Sequence, residues 1–270
     1  MPCFKRLFQF NETAFFILTI LYIYLSQTGT SLFMKPLLFF LACFCTLLSS
    51  AQKLTETSVV KDSSGTIYPA VIWRQLLMKG GHTVKPENKE DSNTAFYLVR
   101  LTSEEKEARL AKMPAPKESK FFRKGEALNL GTVKDINGNK IDLKNNQGKI
   151  TVVNFWFINC PPCRMEIPDL NSLVEKYAAD SVRFVAVALD QKFQLEEFLR
   201  TMPFKYNIVD EGRYLAEKYR VQSYPTHVVV DKEGKVYFHT TGLGMNTVYW
   251  IEKCIREIQN KSTTVSASIN

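Results

Sequence analysis

Two cysteines spaced by two residues, Cys160 and Cys163 in the segment Trp156-Phe-Ile-Asn-Cys-Pro-Pro-Cys-Arg-Met-Glu166, carry the strongest chemical signal in this chain. The pair falls where an apolar run, Thr151 to Ile158, passes into a helical pattern. A thiol at a helix N-terminus faces unpaired N–H groups and the positive end of the dipole, which favours the thiolate and lowers its pKa. A second thiol one turn inside can close a disulfide with the first. Cys160 is therefore expected to attack and Cys163 to resolve the mixed disulfide and release product. Two blander readings are half of a zinc site and a static disulfide. Zinc needs four ligands, and there is no second CxxC and no suitably spaced pair among His82, His227 and His239, so no metal or other cofactor is expected. A static disulfide would need neither the helix-start position nor the residues that follow. His227 and His239, with no cysteine or carboxylate signature around them, receive no role. Cys254, on an apolar helix face, reads as an inert buried thiol.

The elements that must hold this pair alternate between strand and helix. Asp135-Ile-Asn-Gly-Asn139 is a turn with glycine where positive φ is wanted, and it introduces a strand from Lys140 to Leu143. Thr151 to Ile158 reads as a strand covered on both faces. The helix from Cys160 to Tyr177 places Leu170, Leu173, Val174 and Tyr177 on one face. Val182 to Leu189 is a second buried strand, followed by a helix near Leu195 to Arg200, a short strand from Tyr206 to Val209 and a helix from Arg213 to Tyr219. Thr226 to Val230 and Lys235 to Thr240 form a hairpin across Asp231-Lys-Glu-Gly234. A last helix aligns Ile251, Cys254, Ile255 and Ile258. The pattern predicts an α/β domain over residues 121–260 with a central mixed sheet flanked by helices, and a polar tail over 261–270.

Before residue 121 the signals are weaker. Residues 52–120 read as a small α+β extension and linker helix: a strand from Thr55 to Val60, a helix from Pro69 to Met78, a charged loop from Lys85 to Thr94, a strand from Ala95 to Leu101 and a helix from Ser103 to Met113 broken by Pro114-Ala-Pro116. Residues 34–51 have signal-peptide architecture, with Lys35, an apolar core of about a dozen residues and small residues at Ser49 and Ala51, predicting cleavage after Ala51 and export. Ahead of them, residues 1–33 hold a second apolar run from Ala14 to Leu25, short for a membrane span of about 20 residues. The simplest account is a true start at Met34; the alternative is a retained membrane anchor. The net charge of +8 is scattered rather than gathered into a stripe, so no nucleic-acid partner is expected.

Asn154-Phe-Trp-Phe-Ile-Asn-Cys-Pro-Pro-Cys-Arg-Met-Glu-Ile-Pro168, with Gln222-Ser-Tyr-Pro-Thr226 further on, resembles the thioredoxin superfamily and specifically the TlpA and ResA group of membrane-associated or periplasmic thiol-disulfide oxidoreductases. The resemblance implies the thioredoxin fold, a cis Tyr224–Pro225 bond against the disulfide, and a substrate segment pairing with the backbone beside it, with Trp156, Pro161, Pro162, Tyr224 and Thr226 near the substrate. Pro168 matches the proline that kinks the active-site helix. Glu166 matches a glutamate held to tune the thiols; read from the residues alone it is equally an exposed acid in the first turns of the helix. Asn154 stands where thioredoxins carry a buried aspartate, which strengthens the case for Glu166 or water as proton acceptor. Pro161-Pro162 removes two donors that would solvate the Cys160 thiolate, favouring a reductant or moderate exchanger over a disulfide oxidase. The expected clients are protein thiols and disulfides, and the resemblance implies a membrane electron donor. A peroxiredoxin is disfavoured because Phe157 stands where a Thr or Ser is needed, and a non-catalytic module because both cysteines are intact.

Overall fold

The structure, a computed structural model, describes residues 54–88, 91, 94–144 and 148–267. The expected segments 1–33 and 34–51 lie outside the described residues. Among those described, no helix is long and apolar enough to cross a membrane. The described residues divide into two compact units, one within 54–67 and 85–97, the other within 68–84 and 98–267.

Four short strands lie in the N-terminal part: β1 (Val60–Lys61), β2 (Ile67–Tyr68), β3 (His82–Pro86) and β4 (Phe96–Arg100). In the first unit β1 runs parallel to β4, with Val60 opposite Phe96 and Lys61 opposite Tyr97. The strand expected from Thr55 is instead a turn: Thr55 N donates to Ser58 Oγ at 2.8 Å and Ser58 N to Thr55 O. Serine and threonine offer the backbone such local partners in place of a ladder. The charged loop begins later than expected, because Lys85 and Pro86 close β3.

The second unit contains α1 (Ala70–Met78) and α2 (Ser103–Lys112). Helix α2 starts at a capping box in which Thr102 and Glu105 each satisfy the other's backbone N–H. Pro114-Ala-Pro116 ends that helix, yet no boundary falls at residue 120. Asn246 Nδ2 donates to Pro114 O at 2.8 Å, Thr240 Oγ1 donates to Lys117 O at 2.7 Å, and Glu107 pairs with Arg256 at 3.5 Å. The segment read as a linker is bonded along its length to the C-terminal elements.

A hairpin of β5 (Thr132–Lys134) and β6 (Lys140–Asp142) turns at Asp135, whose carboxylate accepts from Asn137 N and Asn139 N, with Gly138 at φ 86°. Strand β5 went unread because three residues with one apolar side chain are too short a run to establish a period of two. The main sheet has the order β11-β10-β7-β8-β9, built from β7 (Ile150–Trp156), β8 (Val182–Ala188), β9 (Asn207–Val209), β10 (Thr226–Val230) and β11 (Val236–Thr241). Strands β7, β8 and β9 are parallel, while β10 is antiparallel to β7 and to β11. This is the mixed sheet of the thioredoxin fold. Helices α3 (Pro161–Lys176), α4 (Lys192–Thr201) and α6 (Thr247–Ala267) supply Leu170, Leu195 and Ile251 to the core on one face. The other face packs Phe122, Leu128 and α5 (Arg213–Lys218) through Leu215. Every residue of β7 is buried, as its apolar run requires of a central strand.

Candidate active site

Cys160 ends the loop after β7 and caps α3. Its Sγ accepts from Cys163 N at 3.2 Å, and the two cysteines form a disulfide with Cα atoms 5.3 Å apart. Pro161 and Pro162 occupy the first turn, where missing N–H groups break no helical bond. Both cysteines are buried, Cys160 at 3% exposure and Cys163 at 1%, so a partner reaches the sulfurs only over the rim formed by neighbouring side chains. The approach to the cap is pinned by Asp190 at the end of β8, whose Oδ2 accepts from Ile158 N at 2.8 Å. Asp190 carried no sequence signal: an acid after a buried strand is ordinarily a turn residue. Pro168 sits inside α3 and cannot donate to Arg164 O.

The Tyr224–Pro225 peptide is cis. Pro225 is buried and its carbonyl accepts from Gly242 N at 2.8 Å, while the Tyr224 ring meets Phe157 edge-on with centroids 5.3 Å apart. Phe157, Tyr224 and Pro162 are half-buried and Pro161 is exposed, which makes them the rim. Two residues expected at the substrate do not reach it with their side chains. Trp156 is fully buried between Phe198 and Phe204, because its position on β7 points into the core beneath α3 and α4. Thr226 is also fully buried; its Oγ1 donates to Ser223 O at 2.7 Å and meets Thr241 Oγ1 at 2.9 Å, tying the cis-proline turn to β11.

Glu166 is buried rather than an exposed acid. At 4% exposure its Oε2 lies 2.9 Å from Nε2 of His227, which is fully buried. The histidine assigned no role from the sequence is therefore the partner of the glutamate one turn beyond Cys163. His227 stands opposite Asn154 in the β10–β7 register. Side chains alternate along a strand, and Val229 and Trp156 of the same phase belong to the core under α3, so Asn154 and His227 share the face that α3 covers. Glu166 Oε1, His227 Nδ1, Asn154 Oδ1 and the Tyr206 hydroxyl are buried with no hydrogen-bond partner among the described residues. Burial pushes the Tyr206 phenol well above its usual range, and the negative charge of Glu166 pushes it further. Sequence reasoning could have found His227 only by aligning β10 with β7. Cys254 is buried on α6 and burial lifts its thiol to about 12, which keeps it protonated and inert.

A profile of the AhpC/TSA family matches residues 125–239. The chain is 33% identical over 124 residues to thiol-disulfide oxidoreductase ResA of Bacillus thuringiensis subsp. konkukian, covering 43% of this chain and 72% of that protein. It is 30% identical over 112 residues to ResA of Bacillus subtilis, covering 41% and 63%. The crystal structure of StoA from Bacillus subtilis aligns at 26% identity with a TM-score of 0.42, over 48% of this chain and 99% of that one.

Proposed function

Because this chain belongs to the ResA family of thiol-disulfide oxidoreductases, we propose that it works in the reductive direction on protein disulfides, through Cys160 and Cys163, in an extracytoplasmic space. The observation that carries the reading is the Cys160–Cys163 disulfide at the N-terminus of α3, with the first sulfur as the cap of the helix. In the first step the Cys160 thiolate attacks a client disulfide, and the expelled client thiolate takes a proton from solvent. Cys163 then gives its proton to Glu166 and attacks Cys160 Sγ. The bond from Cys160 to the client breaks and the second client thiolate leaves. The chain's dithiol has lost two electrons and the client disulfide has gained them.

Glu166 suits the proton role because it is buried three residues after Cys163 on the same helix, while Asn154 has no proton to exchange at pH 7. Pro225, Tyr224 and the Pro161–Pro162 turn are the proposed client-contacting groups, with Phe157 added from the rim. The signal-like segment 34–51 supports export; an inner-membrane anchor formed by the leader is the alternative. In an oxidising compartment the dithiol must be regenerated, so a membrane donor of thiol reducing equivalents is the proposed partner. Trapping mixed disulfides with Cys163→Ala, together with an insulin-reduction assay, tests the activity; no trapped client and no insulin reduction would reject it. Redox titration against glutathione tests the direction, and a potential near about −120 mV would make the chain an oxidase.

A further inference from the structure

We infer that His227 is a positioning residue for the resolving step: it holds Oε2 of Glu166, leaves Oε1 to take the Cys163 proton, and keeps that proton with Glu166 as a single unit. The inference rests on the proposed proton role of Glu166 and adds what the carboxylate needs in order to perform it.

A carboxylate at 4% exposure with one oxygen unpartnered is costly unless something fixes and compensates it. The one partner that Glu166 has among the described residues is His227 Nε2 at 2.9 Å. An amide would satisfy that hydrogen bond equally well, but an imidazole can also accept or release a proton across it, so carboxylate and ring can share one proton at 2.9 Å. When Cys163 ionises, its proton passes to the pair, which goes from a net charge of −1 to neutral while the thiol goes from neutral to −1. The buried charge beneath α3 is unchanged, so the thiolate forms without a new desolvation penalty. The electrons are those of the resolving step already written, and the proton leaves to solvent once the disulfide has closed.

The other groups facing the pair leave this assignment standing. Asn154 and Thr240, opposite His227 on β7 and β11, exchange no proton at pH 7. Tyr206 stays a neutral phenol. His239 pairs in register with Val228, whose side chain belongs to the opposite core, so it faces away. Glu166 also lines a cavity of about 280 Å³ between α2, α3 and α6 whose wall carries the ion pairs Lys106–Asp169 and Lys176–Glu252 with Lys79, Glu107 and Tyr249, a route by which the proton reaches water.

Stopped-flow mixing of the reduced full chain with an aromatic disulfide separates the two steps: the first coloured thiolate reports attack by Cys160 and the second reports resolution by Cys163. The second phase is expected to slow about tenfold or more at pH 7 in both His227→Leu and Glu166→Gln, with its pH profile moved to higher pH. The double variant should be no slower than the slower single variant, since the two residues act as one. His227→Gln, which keeps a donor for Oε2 without a titrating ring, should fall between wild type and His227→Leu, and it carries the test if the leucine variant does not fold. The inference is overturned if Glu166→Gln moves the profile while both His227 variants superimpose on wild type. If Glu166→Gln also superimposes on wild type, the proton role of Glu166 fails and takes this inference with it.

Discussion

Thr226 and Asp190 are single side chains whose work lies in holding the backbone that carries the chemistry. Asp190 anchors the loop before Cys160 through the bond it accepts from Ile158 N. Asp190→Ala should cost about 1–3 kcal/mol, the penalty of leaving a part-buried N–H unpaired, and should slow the first thiolate release; urea melts and the same stopped-flow assay read both. Thr226→Val keeps the shape of a fully buried side chain and removes the hydroxyl that meets Ser223 O and Thr241 Oγ1. A loss of about 1–2 kcal/mol in chemical denaturation is expected, with the protein still folded. At this scale Cys160 and Cys163 were legible because their spacing is itself the signal, while the cis bond at Pro225 was legible only through the resemblance of its segment to the thioredoxin superfamily. Glu166 was half legible: its distance from Cys163 along the helix is local, but its burial depends on a strand sixty residues away.

The elements succeed where their pattern is redundant. Strand β7 and helix α3 were read to within two residues because a continuous apolar run and a repeating apolar face are each set by many side chains at once. Strands β3 and β5 were missed because pairing, not composition, makes them. Helix α5 shows how tightly the elements then fit. Gly212, at its start, donates to Ala188 O at 2.7 Å, and a Cβ there would stand 2.2 Å from Cγ1 of Val187 on β8. Gly212→Ala should destabilise the protein by about 1–3 kcal/mol through overpacking, measurable as a lower Tm. The strain would reach the Asp190 corner, because Glu211 N donates to Asp190 O at 2.9 Å.

Over the whole molecule, two consequences follow from which elements are joined and which groups are sealed in. A fragment starting at residue 121 loses the acceptors Pro114 O and Lys117 O, leaving Asn246 and Thr240 side chains, both buried, without those partners. Such a fragment should be less stable than the full chain by about 2 kcal/mol or more, read by denaturation of both. Alkaline pH is the second test. Burial, helped by the charge of Glu252, pushes the Tyr177 phenol up to about 12 from an ordinary 10.0; burial likewise raises the Cys254 thiol to about 12 from 9.0. Between those ordinary values and about 12 the unfolded chain holds fewer protons than the folded one, so stability falls as pH rises through that window. Cys254→Ala should flatten the onset of the loss and Tyr177→Phe its upper part, in urea midpoints measured from pH 8 to about 12. By itself the sequence determined the pair of sulfurs, the cap that holds them and the order of strands and helices from β7 to α6, since each is written in residues close together along the chain. Only the tertiary structure decided that Glu166 is buried, that His227 is its partner, that Trp156 and Thr226 turn inward, and that residues 98–120 are part of the catalytic unit. Those facts depend on which strands become neighbours, and strand pairing brings together residues that carry no record of one another in the chain.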